Sequence, residues 1–477
     1  MTSPAWGRGI SAVAGVIALG LTSITGLADA NASDTALILG GSGVPVPPPR
    51  YIDAVGQLYL TPSGFGTYTP QAVIAPEQFY PITGVNSLPV DLSVAQGVAI
   101  LDGAIAQQFA AGNRVVVFGY SQSAIIAARE MAYLATSDNP PSPDQLSFVM
   151  IGDTGLPNGG MFQRFDVPGA PLSLPSLGQS FNYGPTTSDT YPTVVYTKEY
   201  DGFADFPQYP LNFLAVLNAL IGMFTEHFSY TGLTPELVNT AIALPTTANT
   251  TTRYFMIPTE NLPLLIPLRL LPLIGNPLAD LLEPTMRVLV NLGYGSITNG
   301  WSPGPADVST PFGVFPADVA LVDVLNALAH GVVQGINDAL DDLKHPTVFD
   351  ISSLSGFFAG LHAAGGTATA HPSPLEFLTA FAALGNGGMP VSSPGGIVNT
   401  LVDAVSGAVA VANPVVDTAL SIAVTLPAYN AHLFVSQLRE GHLLNAIGMP
   451  IAADVALVPY LLVADVVCPS SRRRRRP

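Results

Sequence analysis

One segment constrains the fold of this chain more than any other. Val115-Val116-Val117-Phe118 is an uncharged, largely β-branched run that passes through Gly119-Tyr120-Ser121-Gln122-Ser123 directly into Ala124-Ile125-Ile126-Ala127-Ala128. A buried strand that turns into a helix through Gly-x-Ser-x-Ser lifts one serine above the end of a parallel sheet. The turn is tight, so small residues are needed two positions before and two after that serine, and Gly119 and Ser123 meet the requirement. Centring the motif on Ser123 would put β-branched Ile125 in the crowded position. Ser121 is therefore the expected nucleophile. Ser123 stands where the usual pattern has glycine, but the steric condition still holds.

The flanking sequence predicts the layers that such a turn needs. Short apolar runs alternate with helical patterns, as in an α/β fold with a parallel sheet between helices. Ala36 to Leu39, Arg114 to Phe118, Phe148 to Ile151, Tyr191 to Tyr200 and Arg253 to Ile257 read as strands, and Leu92 to Gly112 as a helix. Residues 158–190 and 203–225 read as loops and insertions over the sheet. Leu262 to Leu282 is an apolar run punctuated by prolines. After Gly295 the β signal fades, and Ala317 to Leu343, Pro374 to Leu384 and Gly396 to Ala410 have helical periodicity. A boundary near residue 296 is expected, with a hydrolase-type domain over 33–296 and an apolar helical extension with a basic tail over 297–477.

Residues 1–32 read as a targeting segment. Arg8 precedes the uncharged stretch Ile10 to Leu27, and Ala28-Asp29-Ala30-Asn31-Ala32 offers small residues for cleavage. Export is the expectation, with the segment either a cleaved signal or an uncleaved anchor, since the run is near the shortest that spans a bilayer.

A serine nucleophile needs a base, an acid to orient it, and donors for the developing oxyanion. The backbone N–H of Gln122 supplies the first donor. The Gly41-Ser42-Gly43 turn after the first strand is the expected source of the second, at Ser42. In chain order the acid and the base follow the serine. Asp201 lies just beyond a strand in Tyr200-Asp201-Gly202-Phe203-Ala204-Asp205, with Asp205 and Glu199 as rivals and Asp153 a more distant one. His227 is the first histidine after Asp201. His330, His345, His362, His371, His432 and His442 all fall in the extension.

Composition narrows the function classes. A formal net charge of −17 repels phosphate backbones, so nucleic-acid binding is not expected. Cys468 is the sole cysteine, which excludes an intrachain disulfide and a cysteine metal cluster. No cofactor or metal is expected. With 48% hydrophobic and 10% charged residues, the chain has apolar surface to spare for lipid or membrane contact. Met449 to Cys468 is apolar enough for such contact, although Asp454 and Asp465 argue against a clean span. Arg472 to Arg476 could meet anionic headgroups. Oligomeric state is left open.

Together, Leu39-Gly40-Gly41-Ser42-Gly43, Tyr80-Pro81-Ile82-Thr83-Gly84-Val85, Gly119-Tyr120-Ser121-Gln122-Ser123, Asp153 through Gly160, Tyr200 through Pro207 and Ile257 through Pro263 resemble the PE-PPE domain of mycobacteria over roughly residues 36–296. The resemblance implies a cutinase-like serine α/β hydrolase, with esterase or lipase activity in some members and acyl transfer onto envelope glycolipids in others. It also implies that the family's serine, acid and histidine fall on Ser121, Asp201 and His227. Two features depart from the family. The apolar leader stands where a PE or PPE helical module would precede the domain, and the Asp153 loop reads Asp-Thr-Gly-Leu-Pro-Asn where relatives tend to show a proline and a basic residue. The expected substrate is an acyl ester or glycolipid. The competing expectation is a non-catalytic lipid-binding or envelope protein on a hydrolase scaffold.

Overall fold

Seven strands, β1 (Thr35–Ile38), β2 (Thr69–Ala72), β3 (Val115–Tyr120), β4 (Leu146–Ile151), β5 (Thr193–Lys198), β6 (Ile242–Ala243) and β7 (Thr252–Ile257), form one sheet. Their spatial order is β6-β7-β5-β4-β3-β1-β2. Every pairing is parallel except that of β6 with β7. These positions come from a computed structural model that describes residues 33–347, 349 and 413–467.

The strand sequences account for the sheet's burial. Alternate residues of a strand face opposite sides, and a parallel sheet covered on both sides needs apolar residues at every position. Leu37, Val115 and Val117 enter the core cluster on one face, while Ala36, Ile38, Val116 and Phe118 enter the cluster on the other. All of them are essentially inaccessible to solvent. Each of the valine, leucine, isoleucine and phenylalanine side chains contributes about 1.5–3 kcal/mol relative to an exposed one. Helix α1 (Val90–Ala110) and helix α2 (Gln122–Ala135) pack on the first face.

Some expectations need correction. Residues 203–225 are not all loop, because Phe213–Thr225 forms helix α3. The Asn212 side chain caps it by accepting from Ala215 N at 3.2 Å. The dense aromatics and leucines of this stretch resemble an insertion, but they are a helix whose Ala215, Val216, Ala219 and Met223 are buried. Residues 158–190 contain the short helix Met161–Phe165 and two small hairpins, Asp166–Val167 with Ala170–Pro171 and Ser173–Leu174 with Gln179–Ser180. The edge strands β2 and β6 carry no alternating apolar pattern, since their residues are mostly exposed.

Beyond residue 296, α5 (Leu321–Lys344) packs against α4 (Gly275–Asn291). Helices α6 (Leu426–Arg439) and α7 (Leu443–Val467) pair with each other. Leu426, Leu433, Ala452 and Leu457 belong to the same apolar cluster as Phe162, Phe165 and strands β3 and β4. Tyr80 Oη donates to Asp417 Oδ2 at 2.6 Å, and Gln179 Nε2 donates to Tyr460 Oη at 3.0 Å. The change of sequence character at 296 is thus followed by chain that re-enters the core of the sheet domain. Asn413–Arg439 and Leu443–Ala464 are long and apolar enough to cross a membrane, and half of the second stretch's apolar window is buried in the protein. Asp454 accepts from Asn430 Nδ2 at 2.7 Å across the pair. The expected leader 1–32, the stretches 374–384 and 396–410 expected to be helical, His362, His371, Cys468 and Arg472 to Arg476 lie outside the described residues.

Candidate active site

Because β3, β4 and β5 run parallel, their carboxyl ends lie on one edge of the sheet, where ligands bind in open α/β folds. Ser121 leaves the end of β3 with φ 58° and ψ −115°, a conformation that costs a non-glycine residue about 1–3 kcal/mol. The half-buried serine then opens α2. A Cβ on Gly119 would lie 2.6 Å from the carbonyl oxygen of Ser123, so the turn admits no side chain there. Ser123 is buried, and its hydroxyl accepts from Tyr120 N at 2.8 Å and donates to Tyr120 O at 3.1 Å. Serine in place of glycine therefore stitches the turn together.

His227 stands in the turn His227–Gly232 that follows α3. Its Nε2 is 2.8 Å from Ser121 Oγ, and its Nδ1 is 2.9 and 2.8 Å from Asp201 Oδ1 and Oδ2. A carboxylate only accepts, so Nδ1 carries the proton and Nε2 is left to accept from the serine hydroxyl. Asp201 is wholly buried, and it accepts further from Phe203 N at 3.0 Å, Ala204 N at 3.3 Å and Tyr230 Oη at 2.8 Å. Tyr120 Oη donates to the backbone carbonyl of His227. Gly152 has φ +53°, and a Cβ there would come within 3.2 Å of the imidazole Cε1. The half-buried rings of Phe203 and Phe228 flank the imidazole at 4.8 and 5.6 Å.

The rival acids are occupied elsewhere. Asp205 Oδ2 accepts from Tyr200 N at 2.9 Å, and burial raises its carboxyl well above the ordinary range against the attraction of buried Arg164. Glu199 accepts from Thr259 N at 3.0 Å and Gly300 N at 2.9 Å. Asp153 accepts from Gly155 N at 2.9 Å, and burial pushes its carboxyl up to about 6. The extension histidines within the described residues also lie elsewhere. His345 and His442 approach their sequence neighbours Asp341 and Glu440, His432 is exposed on α6, and His330 borders a cavity of about 720 Å3 between α4 and α5.

On the other side of Ser121, the Gln122 backbone opens α2, where first-turn N–H groups lack helical partners. Its side chain donates to Gln78 O at 2.8 Å and to Ser42 Oγ at 3.3 Å, and accepts from Ser93 Oγ at 2.8 Å. The turn carrying Ser42 is held in addition by Gly43 N donating to Glu77 O at 2.7 Å. The turn carrying Ser42 therefore lies against the side chain of Gln122, the residue that follows Ser121. Sequence reasoning missed Gln78, Ser93, Tyr120 and Tyr230. Nothing local marks the first three, and only the His-x-x-Tyr spacing in one turn could have drawn notice to Tyr230.

The PE-PPE domain model matches residues 66–295. PPE family protein PPE28 of Mycobacterium tuberculosis is 43% identical over 438 residues, 90% of this chain and 64% of that protein. Esterase PE16 of the same organism is 45% identical over 352 residues, 73% of this chain and 64% of that one. The chain thus spans just under two thirds of the length of both. SL1278 acyltransferase Chp1, also from M. tuberculosis, is 32% identical over 317 residues, 63% of this chain and 72% of that protein.

Proposed function

Because the chain belongs to the PE-PPE domain family, we propose that it is an exported serine enzyme that opens acyl esters through an acyl-enzyme on Ser121. The observation that carries this reading is the hydrogen-bonded chain from Ser121 Oγ through His227 to Asp201 at the carboxyl edge of the sheet. Ser121 Oγ attacks the acyl carbonyl while its proton passes to His227 Nε2. The backbone N–H groups of Gln122 and Ser42 receive the oxyanion, and Asp201 stabilises the imidazolium. Collapse of the tetrahedral intermediate breaks the ester C–O bond, and His227 returns the proton to the departing alkoxide. A second hydroxyl then attacks the acyl-enzyme, with His227 as base again.

That second nucleophile decides between hydrolysis and transfer. Relatives named as an esterase and as an acyltransferase support both outcomes. The apolar side chains that α6 and α7 leave exposed, among them Leu438, Leu444 and Ile451, favour a lipidic acyl group, and in a site closed to water a bound sugar hydroxyl would compete well. The test labels one sample with a fluorophosphonate probe and incubates a separate, unlabelled sample with an acylated glycolipid and a deacylated acceptor. Probe mass on Ser121 and acylated acceptor are expected. Free fatty acid alone would leave hydrolysis, and a folded protein that resists the probe would favour the non-catalytic lipid-binding reading.

A further inference from the structure

We propose that Tyr230 is a positioning residue that clamps the Asp201 carboxylate against His227 and weakens its hold on the imidazole proton; the proposal rests on the serine-enzyme reading of the site. Tyr230 is fully buried, and its hydroxyl has two partners. Lys198 N is 2.8 Å away and can only donate; Asp201 Oδ2 is 2.8 Å away and, ionised, can only accept. The direction of the phenol O–H is thereby fixed toward the carboxylate. It reaches the same oxygen that lies 2.8 Å from His227 Nδ1. Two donors share that oxygen, so the phenol draws charge from the atom that steadies the imidazolium.

The clamp and the base arrive on one piece of backbone. Tyr230 follows His227 by three positions within the turn His227–Gly232. The turn is anchored to the end of β5, from which the Asp201 loop departs. Lys198 Nζ donates to Ser229 Oγ at 3.0 Å and forms an ion pair with buried Glu226, while Tyr59 Oη donates to Tyr230 O at 2.8 Å. Other groups that face the Asp201–His227 pair are Ser121 and Tyr120 from the end of β3 and Asp205 from the acid's own loop. Tyr59, Lys198 and Glu226 stand behind Tyr230. Burial holds the phenol well above its ordinary range, so it remains a donor throughout the working range of the site.

The experiment is the pH profile of kcat/KM for a soluble short-chain ester, measured on the full chain and on Tyr230→Phe. Without the phenol, Asp201 carries more charge and holds the proton on His227 more strongly, so the acid limb moves to higher pH. At the plateau kcat falls about tenfold to a hundredfold, the size of one hydrogen bond to a charged group, with KM little changed. Tyr59→Phe loosens the same turn without touching the carboxylate and is expected to leave the acid limb in place. Should Tyr230→Phe not fold, site-specific 3-fluorotyrosine keeps both hydrogen bonds with a stronger donor and is expected to move the limb to lower pH. An acid limb unmoved in either variant, or moved equally by Tyr59→Phe, overturns the proposal. Ser121→Ala in the same series separates the two claims, since retained turnover there would defeat the serine reading itself.

Discussion

His227 Nδ1 lies within 2.9 Å of both carboxylate oxygens of Asp201, a residue 26 positions earlier that is completely buried and receives two backbone N–H groups besides. A carboxylate so held fixes the tautomer of the ring, and Asp201→Asn is expected to offer an amide donor where an acceptor is required. Turnover should fall about 10⁴-fold. Asp205→Asn, four residues on, is expected to keep most of the parent's turnover, because that side chain serves Tyr200 N and Arg164 instead. Steady-state kinetics of the two variants checks the assignment, and equal losses would contradict it.

Ser121→Ala should abolish probe labelling and lower esterase turnover by roughly 10⁴-fold or more. The strained backbone at φ 58° is the same for alanine, so the melting temperature should stay near the parent's. Labelling and thermal melts on one preparation test both halves.

His227→Ala should match that loss, while His330→Ala, His432→Ala and His442→Ala should leave turnover close to the parent's, because none of these side chains meets Ser121. A comparable defect in one of the three would mean that the base is drawn from beyond residue 296.

Ser123→Ala removes the hydroxyl that binds both the N–H and the carbonyl of Tyr120. Leaving that buried N–H unpaired should cost about 1–3 kcal/mol in denaturant unfolding, with a smaller effect on turnover than Ser121→Ala.

Asp153 supplies a pH test independent of catalysis. Burial raises its carboxyl from the ordinary 3.8 to about 6 in the folded chain. Between those values the native state binds more protons than the unfolded one, so this group makes stability fall as pH rises from about 4 to 6. The full span corresponds to about 3 kcal/mol. Asp153→Asn should remove that slope, which melts of parent and variant across the same range would reveal as a stability difference that grows toward neutral pH.

Local chemistry made the turn at Ser121 legible. The crowding at Gly119 and the need for a small residue at Ser123 act within five residues, so the sequence alone specifies a strand, a sharp turn and a helix with Ser121 at the bend. The apolar runs that become β1, β3, β4, β5 and β7 were legible for a related reason, since burial favours apolar residues along most of each strand, although β7 leaves Arg253 exposed. The exposed edge strands β2 and β6 bear no such demand and stayed hidden.

What only the tertiary structure decided involves partners far apart in the chain. Asp201 and Asp205 follow the same strand with similar local surroundings, and the choice between them is made where the turn after α3 crosses that loop and delivers His227, 106 positions from Ser121. The contact of Tyr230 with Asp201 depends on the same crossing. Helices α6 and α7 show the limit from the other side. A stretch of alanine and leucine reads alike whether it faces water, lipid or a protein core, because periodicity records that a face is apolar but not what covers it. Here Leu433, Ala452 and Leu457 are covered by the cluster beneath the sheet.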